Sequence, residues 1–151
     1  MRLFHRKEAP WEVVDTKSVE PVAMFDEDED LDVLRVADAD ITVAYTVDLG
    51  RVQEAPGLRG ALEGARLQVL KRAAFAHYNI LLHEGWRLTL LRRGKKHRVE
   101  VRYTGRAAYV AGKLPALPPP PFVALLDLCR SRAIADMKLE GIEMSTLRSE
   151  C

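Results

Sequence analysis

The side chains with the clearest chemical potential are basic residues concentrated in one short segment. Between Trp86 and Arg106 the sequence carries eight Lys or Arg residues and a single acid, Glu100. Positive charge at this density attracts phosphates, whether of nucleic acid or of anionic lipid, and it also suits contact with a protein partner. The residues that we predict to form the contact surface are Arg87, Arg92, Arg93, Lys95, Lys96, Arg98 and Arg102.

An alternating pattern predicts that a β-hairpin positions these basic residues. The apolar residues at every second position are Trp86, Leu88, Leu90, Val99, Val101 and Tyr103. Arg87, Arg98 and Arg102 fall between them, so they are expected to share the outward face, while the others surround the turn at Gly94. A second interpretation is a solvated face that keeps the protein soluble and prevents edge-to-edge association.

Residues of the types found in catalytic or metal sites are scattered. The four histidines, at positions 5, 77, 83 and 97, form no i,i+4 pair and have no cysteine nearby, so no metal site is predicted. An enzyme would have to assemble its site from residues such as His83, Glu84, Tyr103 and Asp48, and no spacing supports this. No Gly-rich phosphate loop or nucleophile elbow occurs, so we expect no cofactor, and a non-catalytic protein is favoured.

Two helices are predicted from apolar spacing. The first spans residues 58 to about 77, with one face formed by Leu58, Leu62, Ala65, Val69, Ala73 and Ala76. Arg59, Arg66 and Arg72 are expected to point away from that face. The second helix follows a proline-rich linker at residues 115–121 and ends near Gly141.

Strands are predicted at residues 41–47, at 78–82, and in the hairpin, with a further short strand at 107–110. Gly85 is expected to separate the 78–82 strand from the hairpin. The fold class is therefore α+β, with an antiparallel sheet of about four strands and two helices packed on one face.

Three regions are expected along the chain. Residues 1–32 lack a sustained apolar period and contain six acids between Asp26 and Asp32, which predicts a flexible or loosely docked arm. The alternative for residues 11–14 is a short edge strand, because their aromatic and β-branched composition fits a pleated surface. Residues 33–140 form a single domain that includes the linker and the C-terminal helix, and residues 141–151 form a tail. The acidic run has two interpretations. It is either a disordered, solvated segment, or it folds over the hairpin and competes with a ligand that binds there.

Length and composition agree with one globular domain. The chain has 151 residues, of which 48% are hydrophobic and 30% charged, as in an ordinary folded protein. It contains two cysteines, Cys129 and Cys151, which is too few for a disulfide framework and favours a reducing compartment. No signal peptide or transmembrane segment is predicted, so the expected location is the cytoplasm or the nucleus.

The element order predicted between Leu58 and Met137 is similar to the α-β-β-β-α order of double-stranded RNA-binding domains. That resemblance implies RNA binding through a lysine cluster at the start of the second helix. This sequence departs from the family at that position, where it has Pro119, Pro120, Pro121 and Phe122, followed by Asp127. The likeness is therefore one of element order, which by itself does not carry a function.

The function predicted from the sequence is that of a small non-catalytic binding or assembly module. The expected partner is a protein, including a second copy of the chain, and the contact is made through the basic hairpin. The alternative is a nucleic-acid or anionic-lipid binder that uses the same residues and is opposed by the acidic run.

Overall fold

A computed structural model describes residues 9–50 and 55–127. The described chain forms five strands and one long helix, followed by a short helical segment at residues 125–127. The strands are β1 (Glu12–Ala23), β2 (Asp32–Val36), β3 (Ile41–Gly50), β4 (Ile80–Arg93) and β5 (Lys96–Ala111), and the helix is α1 (Ala55–Phe75).

All strand pairs are antiparallel, and β5 organises the sheet. On one side β5 pairs with β4, which pairs in turn with β1 at the sheet edge. On the other side β5 is long enough to pair with two strands, β3 along its first two thirds and β2 at its end. The predicted hairpin is therefore the centre of the sheet, and its turn contains Gly94, with φ +62°, and Lys95.

The α+β class and the antiparallel sheet are confirmed, but the sheet has five strands where about four were expected. The additional strands, β1 and β2, come from residues that lie within or next to the expected N-terminal arm. The expectation of a loosely ordered arm is thus not confirmed for residues 12–23. The alternative of a short edge strand at residues 11–14 coincides with the start of β1. The rest of β1 was not predicted because an edge strand, in which Val19 is the only buried residue, needs no apolar period.

Gly85 does not interrupt β4, which continues through it. At this point β1 bulges, since Val19 is opposite Trp86 and Val22 is opposite Glu84. A Cβ atom on residue 85 would lie 2.7 Å from the backbone nitrogen of Pro21. Glycine is needed here because β1 approaches closely, and not because the strand ends.

The main core lies between α1 and one face of the sheet. α1 contributes the predicted face, except that Ala76 lies beyond its end and is exposed. The sheet contributes the predicted inward residues of the hairpin, all of which are buried. The largest core residues from these two elements are Leu58, Leu62, Val69, Trp86, Leu88, Leu90, Val99, Val101 and Tyr103.

The proline-rich segment packs on this core. Pro120 and Pro121 are buried, and the indole Nε1 of Trp86 donates a hydrogen bond of 2.8 Å to the carbonyl of Pro121. Leu126 is fully buried in the same core as α1. Packing of two helices on one face is not confirmed, because the rest of the expected C-terminal helix and the tail lie outside the described residues.

A smaller cluster lies on the opposite face of the sheet, at the end away from the turn. It contains Ile80, Ala108 and Val110, with Phe25, Leu31 and Leu82 packed against it. Phe25 and Leu31 flank the acidic run, which therefore forms the connection between β1 and β2. A hydrogen bond of 2.9 Å from the Met24 amide to the Leu82 carbonyl holds the start of this connection beside β4.

The α-β-β-β-α order of double-stranded RNA-binding domains does not occur in the described chain. Only two strands follow α1, because residues 78–82 and the first hairpin strand merge into β4, and residues 107–110 extend β5. Three strands precede the helix instead. The likeness inferred from the predicted elements is thus wrong.

Candidate binding face

The face of the sheet opposite α1 is polar between the small apolar cluster and the turn, and we call this part the open face. Alternation along the strands places on it Thr16, Ser18, Thr42, Ala44, Thr46, Arg87, Thr89, Glu100, Arg102 and Thr104. These side chains are exposed or half-buried. The pattern matches the sequence-based expectation that Arg87, Arg98 and Arg102 share the outward face of the hairpin.

Arg87 and Arg102 lie directly opposite each other at the centre of the open face. The next residues in the same row are Ser18 on β1 and Ala44 on β3, which are both small. Neither arginine forms a hydrogen bond or an ion pair with another residue of the described chain. Like charges directly opposite each other destabilise a sheet, so an anion placed between them would relieve a repulsion.

Two shallow depressions adjoin this arginine pair, which lines both of them. The first, of about 250 Å³, lies toward β1 and is lined also by Thr16, Ser18, Glu20, Pro21, Gly85 and Thr104. The second, of about 450 Å³, lies toward β3 and is lined also by Ala44, Thr46, Thr89 and Glu100. Hydroxyl groups thus surround the two guanidinium groups.

The first depression depends on the bulge in β1, so we call it the Gly85 depression. The bulge displaces Glu20 and Pro21 from regular pairing, and the backbone of β1 occupies the position that a side chain on residue 85 would take. Bulges often re-aim side chains next to functional sites. Here the bulge adds Glu20 to the rim of a depression that already holds the two arginines.

The basic residues near the turn are engaged within the chain to a greater extent than expected. The Arg98 Nε donates to Asp48 Oδ1 at 2.7 Å, and this hydrogen bond holds the pKa of the Asp48 carboxyl below its usual range. The same contact raises the pKa of Arg98. Arg92 lies 3.5 Å from a carboxylate oxygen of Glu12, in a pair that is largely exposed.

Trp11 adds a second set of contacts near the turn. The guanidinium carbons of Arg93 and Arg98 lie 4.5 and 4.4 Å from the centroid of its ring, within the range of cation–π interactions. Trp11 immediately precedes β1, in the part of the chain that was expected to be loose. Of the basic residues at the tip, Lys95 and Lys96 are exposed and form no hydrogen bond or ion pair with described residues.

The acidic run lies at the other end of the sheet from the tip. The connection between β1 and β2 begins beside Leu82, near the start of β4, whereas the turn follows the end of β4. Since β4 has 14 residues, the two ends are on the order of 40 Å apart. The acidic run therefore does not lie against the turn in this structure, and its competition with a ligand of the hairpin stays a prediction.

A buried polar network lies on the core side of the sheet. Arg66 donates from Nε and Nη2 to the two carboxylate oxygens of Glu84, at 2.6 and 2.8 Å, and the Tyr103 hydroxyl donates to Glu84 Oε1 at 2.6 Å. The expectation that Arg66 points away from the core is wrong, since this residue is 6% exposed. The ion pair explains its burial.

This network contains two of the four residues that a scattered active site would need. Glu84 and Tyr103 are in contact, but His83 is exposed and Asp48 pairs with Arg98 on the open face. The oxygens of Glu84 are already bound to donors, and both residues are buried in the core. The geometry therefore fits a structural role for Glu84 and Tyr103.

Burial, reinforced by the negative charge of Glu84, raises the pKa of the Tyr103 hydroxyl well above its usual range. Above about pH 10 this hydroxyl ionises in the unfolded chain but stays protonated in the folded protein. The unfolded state then binds fewer protons, so the free energy of unfolding falls as pH rises, by up to about 1.4 kcal/mol per pH unit.

Tyr103→Phe is therefore expected to flatten the alkaline decline in stability. The measurement is urea unfolding at several values between about pH 9 and pH 11. Tyr109→Phe is the matched control, because that ring is 40% exposed. Equal slopes for Tyr103→Phe and the unmodified protein would contradict the assignment.

Other site types receive no support from the described residues. Within residues 9–50 and 55–127, no three His, Cys, Asp or Glu side chains are grouped in a way that could hold a metal ion. None of the helices there has the length and apolar character needed to cross a membrane. No protein-family model, curated protein or solved structure matches the chain.

Proposed function

We propose that the chain is a small non-catalytic binding module that contacts a protein partner through the open face. The observation that carries the proposal is the pair of arginines at its centre. Arg87 and Arg102 are opposite each other, exposed, and without an ion-pair partner in the described chain. Long cationic side chains kept together in this way are suited to bind an anionic group from outside.

The chemistry of the face indicates a partner with acidic side chains. Each guanidinium can donate two parallel hydrogen bonds to a carboxylate or a similar group. The flanking hydroxyls of Thr16, Ser18 and Thr104 can donate or accept, so they tolerate a mixed polar surface. Such a combination is typical of a protein contact with a charged centre and an adaptable polar rim.

A polyanion such as nucleic acid fits the open face less well. Glu20 lines the Gly85 depression, and Glu100 lies two positions from Arg102 on the same strand and face. A continuous chain of phosphates across the face would meet these carboxylates. In addition, three of the seven predicted contact residues already have partners within the chain, namely Arg92, Arg93 and Arg98.

The alternative proposal is a nucleic-acid or anionic-lipid binder that uses the hairpin tip. It is favoured by Lys95 and Lys96, which are exposed at the turn and project from the end of the sheet. Two lysines beside three partly engaged arginines still create a local positive potential. Binding of this kind would lose affinity steeply as salt increases.

Two double variants with the same change in net charge separate the proposals. Arg87→Glu with Arg102→Glu reverses the charge of the open face, and Lys95→Glu with Lys96→Glu reverses that of the tip. The probes are a fluorescent peptide of alternating Asp and Ser, a single-stranded RNA, and phosphatidylserine vesicles, each at about 50 and 200 mM salt.

The protein-contact proposal predicts that the unmodified protein binds the acidic peptide, and that the face variant loses this binding while the tip variant keeps it. Tighter binding of RNA or vesicles, lost in the tip variant, would favour the alternative. Equal effects of both variants on every probe would contradict a defined contact surface. Thermal unfolding of each variant checks that the fold is kept.

A further inference from the structure

The Gly85 depression has features of a site for one particular anion. We propose that it recognises a phosphate monoester dianion, such as the group on a phosphorylated serine or threonine side chain. This inference rests on the proposed function, because it names the chemical group that the open face binds. It goes further in distinguishing that group from an ordinary carboxylate.

The arginine pair of the site matches the charge of a dianion, although the carboxylate of Glu20 also lines the depression. Arg87 and Arg102 place two positive charges side by side in one row of the sheet. A carboxylate neutralises only one of them, whereas a phosphate monoester carries a charge of about −1.5 to −2 at neutral pH. The dianion can therefore neutralise the pair and accept hydrogen bonds from both guanidinium groups at once.

The hydroxyl groups match the remaining phosphate oxygens. A monoester offers three terminal oxygens, each able to accept hydrogen bonds. Ser18 is directly opposite Arg87 on the neighbouring strand, and Thr104 lies two positions from Arg102 on the same face. Both hydroxyls line the depression with the arginines, so donors surround the space from three strands.

The backbone of β1 lies against Gly85 at one edge of the depression. At Gly85 the β1 bulge comes so close that a Cβ atom would lie 2.8 Å from the Val19 carbonyl oxygen. No side chain from β4 therefore projects into the space beside Arg87. Gly85 thus makes room for the backbone of β1, and the two strands together line the depression.

The acids at the rim limit the site to a single phosphate. Glu20 lies on one side, in the bulge, and Glu100 lies on the other side, beyond Arg102. Both would repel the neighbouring phosphates of a nucleic acid or an anionic membrane. An isolated monoester beside the two arginines meets only Glu20 of these two acids, because Glu100 lines the second depression.

The test compares three synthetic peptides that differ at one position, which is phosphoserine, glutamate or serine. Titration calorimetry on the full chain gives their dissociation constants. The proposal predicts that the phosphoserine peptide binds about ten-fold or more tightly than the glutamate peptide. Lowering the pH from about 7 to 5 should weaken only the phosphoserine peptide, because its second ionisation has a pKa near 6.

Conservative variants locate the binding. Arg87→Lys and Arg102→Lys keep the charge but remove the paired donors, so each is expected to reduce phosphoserine binding several-fold. Arg92→Lys, at the tip, is the matched control and should leave it unchanged. Equal losses from all three variants would overturn the proposed site.

Two further comparisons distinguish a phosphorylated peptide from a small phosphate ligand, and the phosphate site from the protein-contact function on which it rests. Inorganic phosphate or free phosphoserine that binds as tightly as the peptide would support the monoester site with a small-molecule ligand. Equal binding of the phosphoserine and glutamate peptides, lost in Arg87→Glu with Arg102→Glu, would overturn the dianion site and leave the protein-contact function standing. Failure of every peptide to bind would overturn both.

Discussion

Replacement of Glu84 by alanine is expected to lower the free energy of unfolding by about 3–5 kcal/mol. The variant leaves Arg66, which is 6% exposed, as a buried cation without its carboxylate. It also removes the acceptor of the Tyr103 hydroxyl. A buried charge that has lost its partner costs far more than the pair contributes, because the protein interior solvates it poorly.

Urea unfolding followed by tryptophan fluorescence measures this loss, and two variants test its cause. Asp40→Ala breaks the ion pair between Asp40 and Arg106, in which the side chains are 39% and 35% exposed. This variant should lower the free energy of unfolding by only about 0–1 kcal/mol. Replacing the whole network, with Arg66→Met, Glu84→Leu and Tyr103→Phe together, should recover most of the stability. A similar loss for Glu84→Ala and Asp40→Ala would contradict the argument.

Replacement of Gly85 by alanine is expected to be the most damaging change of a single methyl group on the sheet. The added Cβ would lie 2.7 Å from the Pro21 nitrogen and 2.8 Å from the Val19 carbonyl oxygen. Both atoms belong to the backbone, so they cannot move aside as a flexible side chain can. We expect a cost at or above the upper end of the roughly 1–3 kcal/mol range of overpacking substitutions.

Gly60→Ala adds the same methyl group but is expected to raise the stability of the protein. Gly60 lies on an exposed part of α1, and a Cβ atom there meets nothing within 4 Å. Alanine is a better helix former than glycine, so this variant should gain about 1 kcal/mol. The denaturation midpoint should fall for Gly85→Ala and rise for Gly60→Ala. If both midpoints shift in the same direction, the close approach of β1 does not explain the glycine at position 85.

The sequence predicted α1 and the hairpin because their patterns are local. Leu58, Leu62 and Val69 recur with the period of a helix, and the hairpin alternates with a period of two around Gly94. Each pattern is long enough to identify both the element and its buried face. The outward position of Arg87 and Arg102, which carries the functional proposal, followed from the same alternation.

Most of β1 and all of β2 were not predicted, because the pairing of an edge strand leaves no local pattern in its sequence. β1 buries one residue, Val19, and β2 buries none, so neither shows an apolar period. Their partners lie about 70 residues along the chain, in β4 and β5. The contacts of Trp11 and Glu12 with the tip depend on the same distant pairing. The sequence therefore predicted more basic residues as contact residues than the structure leaves without a partner in the chain.

The buried ion pair left a signal that the sequence analysis did not use. Arg66 follows Leu62 by four positions and precedes Val69 by three, which places it on the apolar face of α1. Glu84 precedes Trp86 and Leu88 with the spacing of the inward face of β4. Two opposite charges at positions that face the core predict a pair, since neither is tolerated there alone.

The separation of charge along β4 affects how the protein meets a partner. In the described chain, the acidic connection beside Leu82 and the basic tip at Lys95 and Lys96 place opposite charges at the two ends of β4. A charged surface exerts a torque on such a molecule before contact and turns one end toward itself. A negatively charged surface is therefore expected to attract the tip and a positively charged surface the acidic connection, although the net charge of the chain is only +1.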